Sequence, residues 1–277
     1  MDKPTVALIT AVWKRPELTK LVLDRFKNIQ SELIDKINIK LIAVGSEGIK
    51  SQNLCESRGF FYVECENAPL NRKYNSASRA TKQFSPDAVF RIDSDDWVTS
   101  NIIEQYLKKI EEGEDAVGLI DLYFLNLQQF TLGKWDGYGF LNNRVDRYEA
   151  WRRKLKGRTH GVARCFSKRL MEALNWELWD DDLELNSWLD GNCDKRLKRY
   201  QFKIKGFRMR ELGVLALDIK GGGTNVTKNA FKKLKLKLIE EPSEFLASSF
   251  PENEVKNLFK LYNSIKNTNS TENHIAK

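Results

Sequence analysis

The chain has 277 residues, with 46 Lys and Arg against 38 Asp and Glu for a net charge of +8; 41% of residues are hydrophobic and 30% charged. That balance excludes a disordered chain, and no apolar run approaches the roughly 18 residues of a membrane span. Met1-Asp2-Lys3-Pro4 leads straight into a strand-like run, so no signal peptide and a cytoplasmic location are expected. Cys55, Cys65, Cys165 and Cys193 form no CxxC pair, which predicts free thiols in a reducing compartment.

In chain order, Val6-Ala7-Leu8-Ile9 reads as a buried parallel strand. Pro16 and Glu17 suit a first helical turn, and Leu18, Leu21, Val22 and Phe26 follow at helical spacing. Ile39 to Val44 is a second strand and Phe60 to Val63 a third. Lys73 to Phe84 reads as a helix, and Ala88 to Ile92 as a strand that stops at Asp93-Ser94-Asp95-Asp96. Ile103, Tyr106, Leu107 and Ile110 share the face of a following helix, and Ala116 to Leu125 forms another strand. The second half is less regular. Gly161 to Phe166 reads as a strand, Lys168 to Leu174 as a helix, and Val214 to Ile219 as an apolar run before Gly221-Gly222-Gly223. Pro251 opens a last helix with Val255, Leu258, Phe259, Tyr262 and Ile265 on one face, fraying after Lys266.

Strands alternating with helices predict an α/β fold with an open, mostly parallel sheet flanked by helices. Ligands of such sheets bind at the carboxyl ends of the strands. Three polar clusters fall at such ends, at residues 10–15, 45–48 and 93–96.

The cluster at 93–96 is the sharpest chemical signal. Three carboxylates in four residues at the end of a buried strand repel one another unless a positive charge neutralises them. A hard divalent cation does so and bridges to phosphates, so Mn²⁺ or Mg²⁺ is the expected cofactor. A polar turn in which Asp96 caps the next helix is the plainer alternative.

The segments VALITAVWKRPEL, LIAVGSEG, NAPLNRKYNSASRA, DAVFRIDSDDW and SWLDGNCDKRL occur in the order found in glycosyltransferase family 2. The chain resembles that family over roughly residues 5–225. The resemblance implies a GT-A-like fold and a nucleotide-sugar donor, with a UDP-sugar expected. By resemblance Asp95 is the direct metal ligand, and Asp93 lies near the ribose and the metal's water shell. Ala11, Trp13 and Arg15 line the nucleotide pocket, and Arg72, Lys73 and Asn75 run beneath the donor with Lys73 toward phosphate. Asp190 is the base that deprotonates the acceptor hydroxyl. His160 is a further metal candidate, Asp218 another, and Lys220 sits before a glycine run suited to closing over the phosphates. Val44-Gly45-Ser46-Glu47 stands where many members carry an acidic pair that reads the base. Leu189 precedes Asp190 where the family has a second acid, and Asp180-Asp181-Asp182 competes for the base role.

From Arg144 to Lys237 there are 24 Lys and Arg against 12 Asp and Glu. Such a basic portion points to a polyanionic acceptor. It comprises residues 144–158 with Tyr148 and Trp151, then Lys195, Arg196, Lys198 and Arg199, then Lys232, Lys233, Lys235 and Lys237. The expected activity is hexosyl or pentosyl transfer to hydroxymethylated bases in DNA, as in some bacteriophage glycosyltransferases. A cell-surface saccharide or lipid-linked acceptor is the second reading, and a non-catalytic nucleic-acid-binding module on the same scaffold the third. A nucleotidyltransferase would place a Gly-rich basic loop after the first strand, and Thr10-Ala11-Val12-Trp13 is not one. The expected organisation is a transferase domain over 1–227, a small basic, helical C-terminal extension over 228–266 and a flexible tail over 267–277.

Overall fold

Val6 to Ile9 lies fully buried at the heart of a seven-stranded sheet. The structure is a computed structural model describing residues 3–138, 155–221 and 236–275. The first half alternates: β1 (Thr5–Ala11), α1 (Pro16–Glu32), β2 (Asn38–Gly45), α2 (Ile49–Glu56), β3 (Phe61–Glu64), α3 (Leu70–Thr81) and β4 (Ala88–Arg91). Then come β5 (Asp96–Val98), α4 (Asn101–Glu111), β6 (Ala116–Leu119), β7 (Leu122–Asn126) and β8 (Thr131–Trp135). After residue 155 follow β9 (Arg164–Ser167), α5 (Lys168–Ala173), α6 (Leu189–Arg199), β10 (Ile204–Phe207), α7 (Met209–Leu212) and β11 (Ala216–Lys220). The last elements are β12 (Lys237–Leu238), α8 (Pro242–Ser249) and α9 (Glu252–Ile275).

The large sheet has the order β10-β6-β9-β4-β1-β2-β3. Its pairs are parallel except where β9 runs against β4 and β6. This is the open, mostly parallel sheet flanked by helices that the alternation predicts. Helix α1 buries Leu18, Val22, Phe26 and Ile29, the stripe expected of an amphipathic helix against a sheet. Helix α3 begins at Leu70, ahead of the expected Lys73, and buries Asn71, Lys73 and Asn75.

The run from Ala116 to Leu125 is not one strand. It breaks at Ile120-Asp121 into β6 and β7, which belong to different sheets. Buried Asp121 accepts a hydrogen bond from the Met209 N–H at 2.8 Å, which fixes the corner. A second sheet therefore forms, in the order β12-β8-β7-β11-β5. Nor does a helix directly follow Asp96, which instead opens β5 of this sheet. The C-terminal part packs on the main core through Leu246, Phe250, Val255 and Leu258. Glu254 pairs at 3.0 Å with Arg25 of α1, both buried. The backbone of α9 runs as helix to Ile275, past the expected fraying point. No helix among the described residues is long and apolar enough to cross a membrane.

Lys73 knots the strand ends together. Its Nζ donates to Val12 O (2.8 Å), Ser46 Oγ (3.0 Å) and Asn67 Oδ1 (3.1 Å). Those partners follow β1, β2 and β3. Burial pulls its pKa from 10.5 down to about 8, against smaller opposing effects of Cys65, Glu47 and Glu64. Between those two values the unfolded chain binds more protons than the folded one, so stability rises with pH there. Urea denaturation from pH 7.5 to 10.5 should show wild type gaining stability relative to Lys73→Met as pH rises; parallel profiles would contradict the assignment.

Candidate active site

The polar clusters at the ends of β1, β2 and β4 do converge. After β1 the chain makes a tight turn in which Lys14 (φ 54°) and Arg15 (φ 50°) are both left-handed. Non-glycine residues adopt that region at a cost, and such strain gathers at functional sites. The Lys14 N–H donates to Glu47 Oε2 at 2.7 Å, which ties the turn to the end of β2. The turn delivers Arg15 to the end of β4, where Nη1 donates to Asp95 Oδ2 at 3.0 Å and Nη2 reaches Ser94 Oγ at 3.5 Å. Ala11 ends β1, and Trp13 is partly exposed beneath the Lys14 ammonium.

The acidic residues divide into two groups. Oxygens of Asp95, Asp96 and Asp218 lie within 4.8 Å of one another, and all three residues are buried. Register explains the closeness. β5 and β11 are antiparallel, with Asp96 directly opposite Asp218, and the Ile219 N–H donates to Asp95 O at 2.7 Å. Like charges directly opposite each other destabilise a sheet unless they are neutralised. Burial, aided by Asp93, Asp218 and Asp95, pushes the Asp96 carboxyl well up. Burial also raises Asp218 to about 7, with Lys220 opposing and Asp95 reinforcing. A set of hard oxygen donors this close suits Mn²⁺ or Mg²⁺. Lys220 Nζ pairs with Asp218 Oδ1 and lies 3.7 Å from Asp95 Oδ2.

Asp93 and His160 lie outside that group. Asp93 accepts both oxygens' worth of contact from Arg91 Nη2 (2.8 and 2.9 Å) and a hydrogen bond from Tyr74 Oη. Arg91 stacks over the Tyr74 ring, 4.7 Å from its centroid, and donates from Nη1 to Gly161 O at 2.5 Å. Half-buried His160 accepts the Val162 N–H at Nδ1 (3.2 Å) and meets Phe124 and Trp135 edge-on. Burial pushes its pKa down to about 4, so it is neutral at pH 7.

Asp190 lies in the first turn of α6. Burial alone would raise its pKa, but the guanidinium groups of Arg164, Arg91 and Arg158 outweigh burial and hold the carboxyl below its usual range. Arg91 and Arg164 stand directly opposite each other on β4 and β9. The carboxylate is packed against the backbone of Gly161, where any Cβ would overlap it. The rival triplet does other work. Asp180 binds Arg196 (2.9 Å), Arg199 and Asn192 Nδ2 (2.9 Å), and Asp181 accepts from Asn75 Nδ2 (2.7 Å) and Arg79 (2.8 Å).

Helix α3 holds that 178–185 loop in place. Asn71 donates to Asp180 O and Leu183 O and accepts from Leu185 N, while Asn75 donates to Trp179 O and accepts from Leu178 N and Trp179 N. Exposed Arg72 donates to Asp181 O at 2.8 Å. Thus Lys73 and Asn75 have their polar atoms engaged by protein partners. The sequence pattern by itself does not single out Arg91, Arg164, Tyr74 or Gly161. The available signal was an arginine inside each of two otherwise apolar runs, AVFRI and VARCF. Residues 144–154, Gly222, Gly223, Lys232, Lys233 and Lys235 lie outside the described residues.

No protein-family model matches the chain, and no curated protein matches it. Among solved structures, S. aureus TarS 1-349 in complex with UDP aligns with a TM-score of 0.50 at 14% identity, over 78% of this chain and 61% of that one. A mycobacterial protein aligns at 0.49 and 12% identity, over 81% and 70%. A cytidylyltransferase from Leptospira borgpetersenii serovar Hardjo-bovis aligns at 0.43 and 13%, over 95% and 97%. At these identities the likeness is one of fold. The sheet and its flanking helices form a GT-A-like fold, as in nucleotide-diphospho-sugar transferases.

Gly161→Ala tests the placement of Asp190. The atoms in the way end a side chain, so the protein should stay folded while the carboxylate moves. A melting temperature near wild type, with the Asp190 carboxylate displaced in a crystal structure of the variant, is the expected result; a carboxylate left in its wild-type position would contradict it.

Proposed function

We propose that this chain is a metal-dependent glycosyltransferase moving a sugar from a nucleotide-sugar donor, a UDP-sugar in our reading, to a hydroxyl acceptor. One observation carries the reading: the buried trio Asp95, Asp96 and Asp218 and the ionised Asp190 are distinct acidic centres, and Arg91 acts on both. A trio of carboxylates alone fits many divalent-ion sites. A separate ionised carboxylate can accept a proton from an acceptor hydroxyl, with a driving force that the neighbouring arginines reduce. The UDP held by the aligned TarS fragment supports a nucleoside diphosphate as the donor's departing half.

We assign the roles as follows. Asp95, Asp96 and Asp218 would hold the divalent ion, which would supply charge neutralisation to a diphosphate leaving group. Arg15 and Lys220 add positive charge on the same side, and Ala11 and Trp13 line the nucleotide. Asp93, oriented by Arg91 and Tyr74, receives the ribose. Asp190 takes the proton as the acceptor oxygen bonds to the anomeric carbon and the bond to the diphosphate breaks. The sugar passes through an oxocarbenium-like transition state. Neutral His160, edge-on to Trp135 and Phe124, lies in the field of Asp190.

Lys195 and Lys198 of α6 and Lys203 just beyond it are exposed. They support a polyanionic acceptor, of which DNA carrying hydroxymethylated bases is the version we take forward. Arg196 and Arg199 add less to that surface, because Asp180 pairs with both.

The test is a panel of UDP-, GDP- and CMP-sugars with plain and hydroxymethylated DNA, read by mass spectrometry. Glycosyl addition to the hydroxymethylated strand should require Mn²⁺ or Mg²⁺ and stop in chelator. Asp95→Ala should abolish it, and Asp190→Asn should slow it by about 10²–10⁴-fold. Transfer that survives both substitutions would refute the assigned roles, and transfer only to saccharides would replace DNA as the acceptor.

A further inference from the structure

Two protein cations stand on the oxygens that the metal reading requires. Arg15 Nη1 is 3.0 Å from Asp95 Oδ2, and Lys220 Nζ is 3.7 Å from the same atom while pairing with Asp218. Lys220 and Asp218 are two apart on β11, so their side chains leave the same face of the strand. The backbone of Lys220 is pinned, because its carbonyl O accepts the Leu127 N–H at 2.8 Å. A Cβ on the next residue, Gly221, would collide with Leu127. Any movement of the ammonium is therefore a rotamer change along a four-carbon stem, which lysine makes easily.

A divalent ion on Asp95, Asp96 and Asp218 needs the oxygens that this ammonium contacts. We propose that Lys220, seconded by Arg15, is an exchangeable counter-cation: the divalent ion displaces its ammonium from Asp95 and Asp218, and the displaced ammonium binds the donor's diphosphate. The inference rests on the metal and donor reading above. It has a consequence that metal coordination alone does not. Lys220 opposes the metal when the metal binds by itself, and it favours the metal once a diphosphate is present to accept the ammonium. Metal and nucleotide diphosphate then tighten each other's binding by the same factor.

Lys220→Met keeps the stem and removes the charge. Calorimetry of Mn²⁺ alone should show the variant binding roughly tenfold tighter than wild type. With Mn²⁺ saturating, UDP, GDP or CDP, whichever the wild type binds, should bind roughly tenfold more weakly to the variant. The factor by which the nucleotide tightens Mn²⁺ should fall below its wild-type value, to the part that direct contact between ion and diphosphate supplies. Mn²⁺ should also raise the melting temperature of the variant more than that of wild type. Arg15→Met should shift Mn²⁺ affinity in the same direction and serves if Lys220→Met fails to fold. Mn²⁺ binding to a folded variant that is equal to or weaker than wild type overturns the exchange while leaving the metal site standing. If wild type itself binds no Mn²⁺, the metal reading fails and the exchange falls with it.

Discussion

Carboxylates buried side by side must be answered by positive charge, and the centre of this protein is organised around that requirement. Asp96 faces Asp218 across one pair of strands, while Arg91 faces Arg164 across another. Either pairing alone would weaken its sheet. Together they form an alternating array, with Asp93 on Arg91, Asp194 on Arg164 and Asp190 held in the field of both arginines. The arginine side is balanced within the protein. The aspartate trio is answered by Lys220 and Arg15, whose contacts lie on oxygens that a divalent ion would use.

The fold brings these charges together from distant parts of the chain. The parallel strands deliver residues 10–15 and 93–96 to one end of the main sheet. The small second sheet delivers Asp218 to Asp96. Helix α3, carrying amide side chains on a buried face, fastens the loop that leads into α6 and so sets where Asp190 emerges. Burying Asn71 and Asn75 is tolerable because their donors and acceptors meet backbone groups of that loop. Gly161 then leaves the space that the Asp190 carboxylate occupies.

Much of the main sheet is legible in the sequence because its strands are uninterrupted apolar runs. Val6 to Ile9, Ile39 to Val44 and Ala88 to Ile92 have no other comfortable conformation once flanked by amphipathic helices. The second sheet is not legible. Ala116 to Leu125 looks like one strand, because the bend at Asp121 depends on a partner at Met209, 88 residues further on. The same limit applies to the site. Asp95 is visible as part of a local cluster. Asp218 is only one candidate beside His160 until strand register places it opposite Asp96. His160 reads as a ligand by residue type, yet it lies outside the aspartate group and edge-on to two aromatic rings. Lys73 reads as a phosphate contact by charge, yet three protein acceptors surround its ammonium.

The most direct test of the account is the position of a divalent ion. Crystals grown with Mn²⁺ and a nucleoside diphosphate, measured at a wavelength where manganese scatters anomalously, should show a peak bonded to oxygens of Asp95, Asp96 and Asp218, with the diphosphate against it. A bound nucleotide with no such peak, or a manganese ion lodged away from those three side chains, would contradict it.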